Sequence, residues 1–125
     1  MDRFHLKPVM DNPHSDRVRR IADLSRSKTR KKTGRFLVEG PQAVREAVHF
    51  ASDFVTDLYY DAAAGEDLVL GEIIAEAQKK ILYCHPCSSQ VMEAISKDCQ
   101  GIGALVRTEA VTGGLAPDAS SFAAL

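Results

Sequence analysis

Between Arg17 and Arg35 the chain carries nine Lys or Arg residues and a single acid, Asp23. Cations set that densely can neutralise successive phosphates and release their condensed counterions, which is the chemistry of gripping a polyanion rather than of making or breaking bonds. Ser25, Ser27, Thr29 and Thr33 are interleaved with them and add neutral donors for phosphate oxygens. The chain as a whole has a formal net charge of −1, so the residues outside this window are acidic on balance. Distribution, not the total, is what a nucleic acid senses. Sequence-tolerant base stacking has little to stand on, because the nearby aromatic, Phe36, belongs to the apolar run Phe36-Leu37-Val38 and is expected in the core. A solvated charge run has the same composition, so charge by itself does not decide for RNA or DNA.

The rival signal is Cys84-His85-Pro86-Cys87, a C-x-x-C that the surrounding pattern places between a strand and a helix, where helix amides stabilise thiolates in redox proteins. One reading is a small thiol oxidoreductase using Cys84 and Cys87; the other is two structural thiols at chance spacing. Zinc normally needs four ligands, and beyond Cys99 only His5, His14, His49 and His85 are left, without ligand-like spacing. No metal site is expected. Glu39, followed by Gly40-Pro41, falls where a strand runs into a helix; site residues gather there, and a carboxylate can also simply cap the helix. The sequence contains no glycine-rich phosphate loop, no Ser/His/Asp set and no paired-carboxylate arrangement. No catalytic residue is assigned.

Apolar periodicity supplies the frame for these residues. With 125 residues, 45% of them hydrophobic, the chain can bury one core without staples. A helix is expected from about Ser15 to Ser25, with Ser15 as cap and Val18, Ile21 and Ala22 as its apolar stripe. Ser25 to Gly34 is polar, aperiodic and longer than the roughly 4 to 6 residues of a median connection, which predicts an exposed, mobile loop. Phe36-Leu37-Val38 reads as a strand passing into a helix that Pro41 opens and that carries Ala43, Val44, Ala47, Val48 and Ala51. A strand from Val55 to Tyr60 follows, then a helix bearing Leu70, Ile73, Ile74 and Ala77. Ile81-Leu82-Tyr83-Cys84 is expected as the third strand, Ser88 or Ser89 as the cap of a helix with Val91, Met92 and Ile95, and Ile102 to Val106 as the fourth strand.

Strands that are apolar on both faces need cover on both sides, so the fold class is α/β, a three-layer helix–sheet–helix sandwich. Residues 1–11 are expected to be a flexible amino-terminal segment, 12–108 the binding domain, and 109–125, enriched in Gly, Ala, Ser and Pro, a linker. The sequence has no run of roughly 18 apolar residues and a polar start unlike a secretory signal. Together with an odd number of cysteines, this predicts reduced thiols, a cytoplasmic location and no membrane partner.

Several of these residues also form one ordered pattern: Asn12-Pro13, Arg17-Val18, Leu24, Lys28, Arg30, Gly34, Phe36-Leu37-Val38-Glu39-Gly40, Val44-Arg45-Glu46-Ala47, Ile95-Ser96 and Gln100-Gly101-Ile102. In order and spacing it resembles the amino-terminal substrate-binding domain of the SpoU/TrmH family of RNA 2′-O-ribose methyltransferases, over about residues 12 to 107. Two departures stand out. The threonine-proline that often precedes Gln-Gly is replaced by a shortened loop with Lys97-Asp98-Cys99, and Gly103 stands where a larger apolar residue is usual.

The resemblance implies a fold shared with kink-turn-binding ribosomal proteins and a structured RNA, ribosomal RNA first, as partner. It also implies that S-adenosylmethionine and methyl transfer belong to a carboxyl-terminal knot domain of the same polypeptide. This chain is then expected to bind no cofactor, to be inactive alone, and to be monomeric, because family dimers usually form through the knot domain. Carried over residue by residue, the pattern marks Arg26, Lys28, Arg30 and Arg35 for RNA contact, with Arg19, Arg20, Lys31 and Lys32 as supporting phosphate contacts and Glu39 and Gln100 as further candidates. A free-standing RNA-binding protein of the ribosomal type is the alternative within the same chemistry.

Overall fold

The computed structural model describes residues 8–64 and 66–112; most of the expected amino-terminal segment and linker lies outside the described residues. Ser15 starts the first helix as expected: its hydroxyl accepts from the Val18 amide at 3.2 Å, and helix α1 (Asp16–Ala22) buries Val18 and Ile21. The helix is shorter than the sequence suggests. At Asp23 the backbone tightens into a 3-10 turn, Asp23–Ser25, which turns Leu24 into the core.

The polar segment that follows is not a loop but helix α2 (Ser27–Thr33). It buries no residue, so it carries no apolar stripe for periodicity to reveal. Its stability comes from its ends. Thr29 donates its hydroxyl to Asp23 at 2.6 Å, and Arg30 reaches back to the carbonyls of Leu24 and Ser25 at 2.9 and 2.8 Å. Gly34 closes the helix in the left-handed region, φ +68°, with its amide on the Arg30 carbonyl at 2.8 Å.

Strand β1 (Arg35–Glu39) leads into helix α3 (Pro41–Phe50), with proline at its first turn. Then come strand β2 (Val55–Asp61), helix α4 (Leu68–Lys79), strand β3 (Cys84–Cys87), helix α5 (Ser89–Ile95), strand β4 (Ile102–Arg107) and helix α6 (Glu109–Thr112). Ser88, not Ser89, caps α5 by accepting from Val91 at 3.1 Å. The sheet order is β1-β4-β2-β3, with β4 antiparallel to both neighbours and β2 parallel to β3.

Alternation along the strands divides the interior in two. Phe36, Val38, Leu58, Tyr60, Cys84, Ala104 and Val106 face α3 and α4; Tyr59, Cys87 and Leu105 face α1 and α5, with Leu37 packed beside them. Helices therefore cover both faces of the sheet, the expected three-layer sandwich. Gly103 makes room on the second face: a Cβ there would lie 3.3 Å from the Leu37 side chain.

The third strand begins three residues later than expected. Ile81 and Leu82 are used to close α4, their amides bonding the carbonyls of Gln78 and Ala77 at 3.0 Å each. Pairing with β2 starts only at Cys84, opposite Leu58. Pro86 is tolerated because β3 is the edge strand. On its outer side Met10 bridges Cys87, donating to the Pro86 carbonyl at 2.9 Å and accepting from Ser88 at 2.8 Å. At the other end Ala110 of α6 is buried in the core. Packing thus reaches slightly beyond residues 12–108 at both ends.

Candidate nucleic-acid interface

With 3.6 residues per helical turn, Lys28, Lys31 and Lys32 share one side of α2, while Arg30 points the opposite way toward the 3-10 turn. The three lysines are exposed, and none has an ion pair among the described residues. Arg30 is half-buried and commits Nη1 to two carbonyls, so it is first of all a brace that holds α2 against the preceding turn. Arg26 is exposed and lies 3.5 Å from Asp23. Arg19 and Arg20 are exposed on α1, and Arg35 is exposed at the start of β1. A helical lysine face thus replaces the mobile basic loop expected from sequence, and the remaining cations lie on the elements directly before and after it.

Beside α2 is an open cleft of about 1090 Å³. Ser25, Ser27, Arg30 and Lys31 form one wall, residues of α5 and the loop after it the other, and Leu37 and Glu39 of β1 the floor. Glu39 accepts a hydrogen bond from the Ser96 hydroxyl, which in turn accepts from the Asp98 amide at 3.2 Å. Burial, and then the charge of Asp98, push the Glu39 carboxyl above its ordinary range. Glu39 therefore anchors the α5–β4 loop to the cleft floor, which is more than capping a helix. Gln100 is exposed in the turn before β4, with φ +52°, and does not line this cleft. The cleft walls carry Arg30, Lys31 and Lys97 against Glu39, Glu93 and Asp98, and Phe36 is only 9% exposed.

A second cluster went unseen in the sequence. Arg17 donates from Nε to the Tyr59 hydroxyl at 3.1 Å, with its guanidinium carbon 5.4 Å from the Tyr59 ring centre. The His85 ring stacks on Tyr59 at 4.9 Å and reaches Asp57 at 2.8 Å through Nε2. Arg17 Nη2 is 3.2 Å from that same nitrogen and 3.5 Å from Asp57. Nε2 cannot donate and accept at once. The short contact with a carboxylate places the proton on Nε2, donating to Asp57, and leaves Arg17 to share the carboxylate.

Burial alone would raise the Asp57 carboxyl; the hydrogen bond and charge of His85, with Thr56 and Arg17 added, outweigh it and hold it below its ordinary 3.8. A depressed carboxylate adds stability above its unfolded pKa that is lost as pH falls through the folded value. Asp57→Asn is expected to lower the unfolding midpoint at pH 7, with the gap to the parent closing as pH drops below about 4. A gap that stays constant across a pH series of thermal melts counts against this coupling.

The C-x-x-C is not at a strand–helix junction. It makes up β3 itself, so its thiols, three residues apart on a strand, project from opposite faces. Cys84 belongs to the core under α3 and α4, and Cys87 to the core under α1 and α5. The three cysteines form no disulfide, and burial pushes the Cys87 thiol up to about 12. A thiol oxidoreductase needs both sulfurs on one side and one of them acidic, and the opposite-facing sulfurs of Cys84 and Cys87 do not meet that need. Among the described residues no group of three or more His, Cys, Asp or Glu could hold a metal ion, and no helix is long and apolar enough to cross a membrane.

Comparison with known proteins bears on the same region. A search of curated protein sequences gives no match. Among solved structures, an RNA 2′-O ribose methyltransferase superposes with a TM-score of 0.63 at 20% identity, over 79% of this chain and 37% of that one. An rRNA methyltransferase from Sinorhizobium meliloti gives 0.61 at 17% identity, over 78% and 36%. The SpoU methyltransferase AviRb from Streptomyces viridochromogenes, in complex with AdoMet, gives 0.59 at 16% identity, over 75% and 36%. At such identities the likeness is one of fold, and the chain spans little more than a third of the length of these enzymes. The family profile of the MRM3-like substrate binding domain matches residues 15–104, from the cap of α1 into β4, and the chain belongs to that family.

Proposed function

We propose that this chain grips structured RNA, ribosomal RNA in the first place, and presents a ribose to an S-adenosylmethionine-dependent 2′-O-methyltransferase domain carried carboxyl-terminally on the same polypeptide. The observation that carries the reading is α2, a helix that buries nothing and spends its exposed side on Lys28, Lys31 and Lys32. A helix without an apolar face contributes nothing to the core, and its cations are free for phosphates. Arg19, Arg20, Arg26 and Arg35 extend that surface, Arg30 supports it from below, and Glu39 shapes the cleft beside it. Gln100 is the outlying candidate, at the turn into β4. Such contacts fix register and orientation on the RNA, which is what a substrate-binding domain contributes to a reaction completed elsewhere.

Cofactor binding and methyl transfer are assigned to the remainder of the parent enzyme, and this piece to a cytoplasmic, monomeric binding unit. Fluorescence anisotropy of the 125-residue chain with a ribosomal RNA hairpin is expected to show saturable binding that weakens steeply with salt. Calorimetric titration with S-adenosylmethionine is expected to show no saturable heat. Salt-independent RNA binding overturns the phosphate grip, and saturable cofactor binding overturns the division of labour.

A further inference from the structure

We propose that a pocket framed by Arg17, Arg20 and Arg35 holds one phosphodiester group of the bound RNA. The inference rests on the RNA-binding reading and gives it a fixed point. The pocket lies between α1 and the end of the sheet where β1 starts and β4 finishes; Thr33, Asp57 and Tyr59 add polar groups to its lining, and Ile21, Leu24 and Leu105 its apolar part. Its volume is about 280 Å³; at roughly 30 Å³ per water, that is room for a phosphate and part of its sugar.

Three arginines line it against one carboxylate, and the carboxylate is already engaged. Asp57 takes the His85 bond at 2.8 Å and lies 3.5 Å from Arg17. Arg17 is immobilised by Tyr59 and Asp57, so part of its donor fork is fixed in place before any ligand arrives. Arg20 and Arg35 have no ion pair among the described residues, although both are exposed and on separate elements. Like charges repel unless an anion sits between them. A phosphate offers several acceptor oxygens to such a set, and arginine's planar fork matches it. The lysines of α2, by contrast, are point charges on mobile stems that follow the backbone without fixing one position.

The test counts phosphates. The logarithmic salt slope of RNA binding falls by roughly 0.7 to 0.9 for each phosphate that is no longer neutralised. If Arg20 and Arg35 serve the same phosphate, the double variant Arg20→Ala/Arg35→Ala shows one such step. A drop of about twice that means two separately held phosphates and overturns the pocket, as does an unchanged slope. Both side chains are exposed and make no ion pair among the described residues, so the melting temperature of the double variant should match the parent. A second readout needs no RNA. Titration of the 125-residue chain with inorganic phosphate should shift the Nε–H resonances of Arg17, Arg20 and Arg35 saturably, and the Arg17 shift should vanish in the double variant. Shifts confined to the lysines of α2 overturn the pocket while leaving the RNA-binding reading intact. If the parent shows no salt-dependent RNA binding, that reading fails instead, and the phosphate titration still decides whether the pocket is an anion site.

Discussion

Replacing Lys28, Lys31 and Lys32 together by alanine is expected to weaken binding of a ribosomal RNA hairpin on the order of 10- to 100-fold at moderate salt, and to lower the salt slope by roughly 2 to 3. The size follows from three phosphates released at once, each with its share of the counterion term. The fold should not notice. All three side chains are exposed on a helix that buries no residue, and alanine is the better helix former, so circular dichroism and the melting temperature are expected to stay near the parent's.

Arg30→Ala should behave in the opposite way. It removes two hydrogen bonds from a cation to the Leu24 and Ser25 carbonyls; with the side chain half-exposed, the cost is about 1 to 2 kcal/mol, together with loosening of α2. Its RNA affinity should fall less than that of the triple variant. Equal RNA binding by the triple variant and the parent at several salt concentrations would mean that α2 is a solvated charge run, and the grip would have to lie elsewhere. A triple variant that melts early would assign the lysines to stability, contrary to the geometry.

The contrast between Lys28 and Arg30 marks where sequence reading stops. Periodicity shows a segment only where it has a buried face. Val18 and Ile21, Val44 and Val48, Ile73 and Ile74, and Val91, Met92 and Ile95 all showed theirs, and all are buried in the expected helices. The alternation of helices and strands, and with it the covered sheet, was therefore legible. α2 was not, because it is held by side-chain bonds to carbonyls and by a left-handed Gly34; the usable signals were the glycine at its end and the basic last turn. Ile81-Leu82 misled for a related reason. Their apolar character suggested a strand, but Ile81 is 88% exposed and the pair closes α4.

The site divides along the same line. Cations close together in sequence could be found by counting charges, and they do end up on neighbouring elements. Arg17 counts among those charges, but nothing local singles it out. Its partners Tyr59 and His85 are 42 and 68 residues away, and only the parallel pairing of β2 with β3, Tyr59 opposite His85, brings them to one place. No local pattern encodes that meeting. Glu39 was legible as a position at the end of a strand, but its bond to Ser96, 57 residues away, was not.

In the folded chain, Cys87 is expected to react with a small alkylating reagent on the order of a thousandfold more slowly than an ordinary thiol. The thiolate is the reacting form. A thiol lifted from 9.0 to about 12 holds roughly a thousandth of the usual thiolate at neutral pH, since each pKa unit is a factor of about ten. Burial obstructs the reagent as well, because Cys87 has no exposed surface. Cys99 is 3% exposed, and burial, the main cause, raises its thiol too, so it should lag with Cys87. Cys84, at 8%, is the one to label first. In denaturant all three should label at the rate of free cysteine. Under mild oxidant no Cys84–Cys87 disulfide should form without unfolding, because the two sulfurs leave β3 on opposite faces of the sheet. Mass spectrometry of alkylated, proteolysed protein reads both outcomes. Fast labelling of Cys87 in the native chain, or an internal disulfide that leaves the circular dichroism native, would place the sulfurs on one side and restore the redox reading. Slow labelling leaves them as packing residues in two separate cores, 0% and 8% exposed, where small apolar side chains of their size would serve the same end.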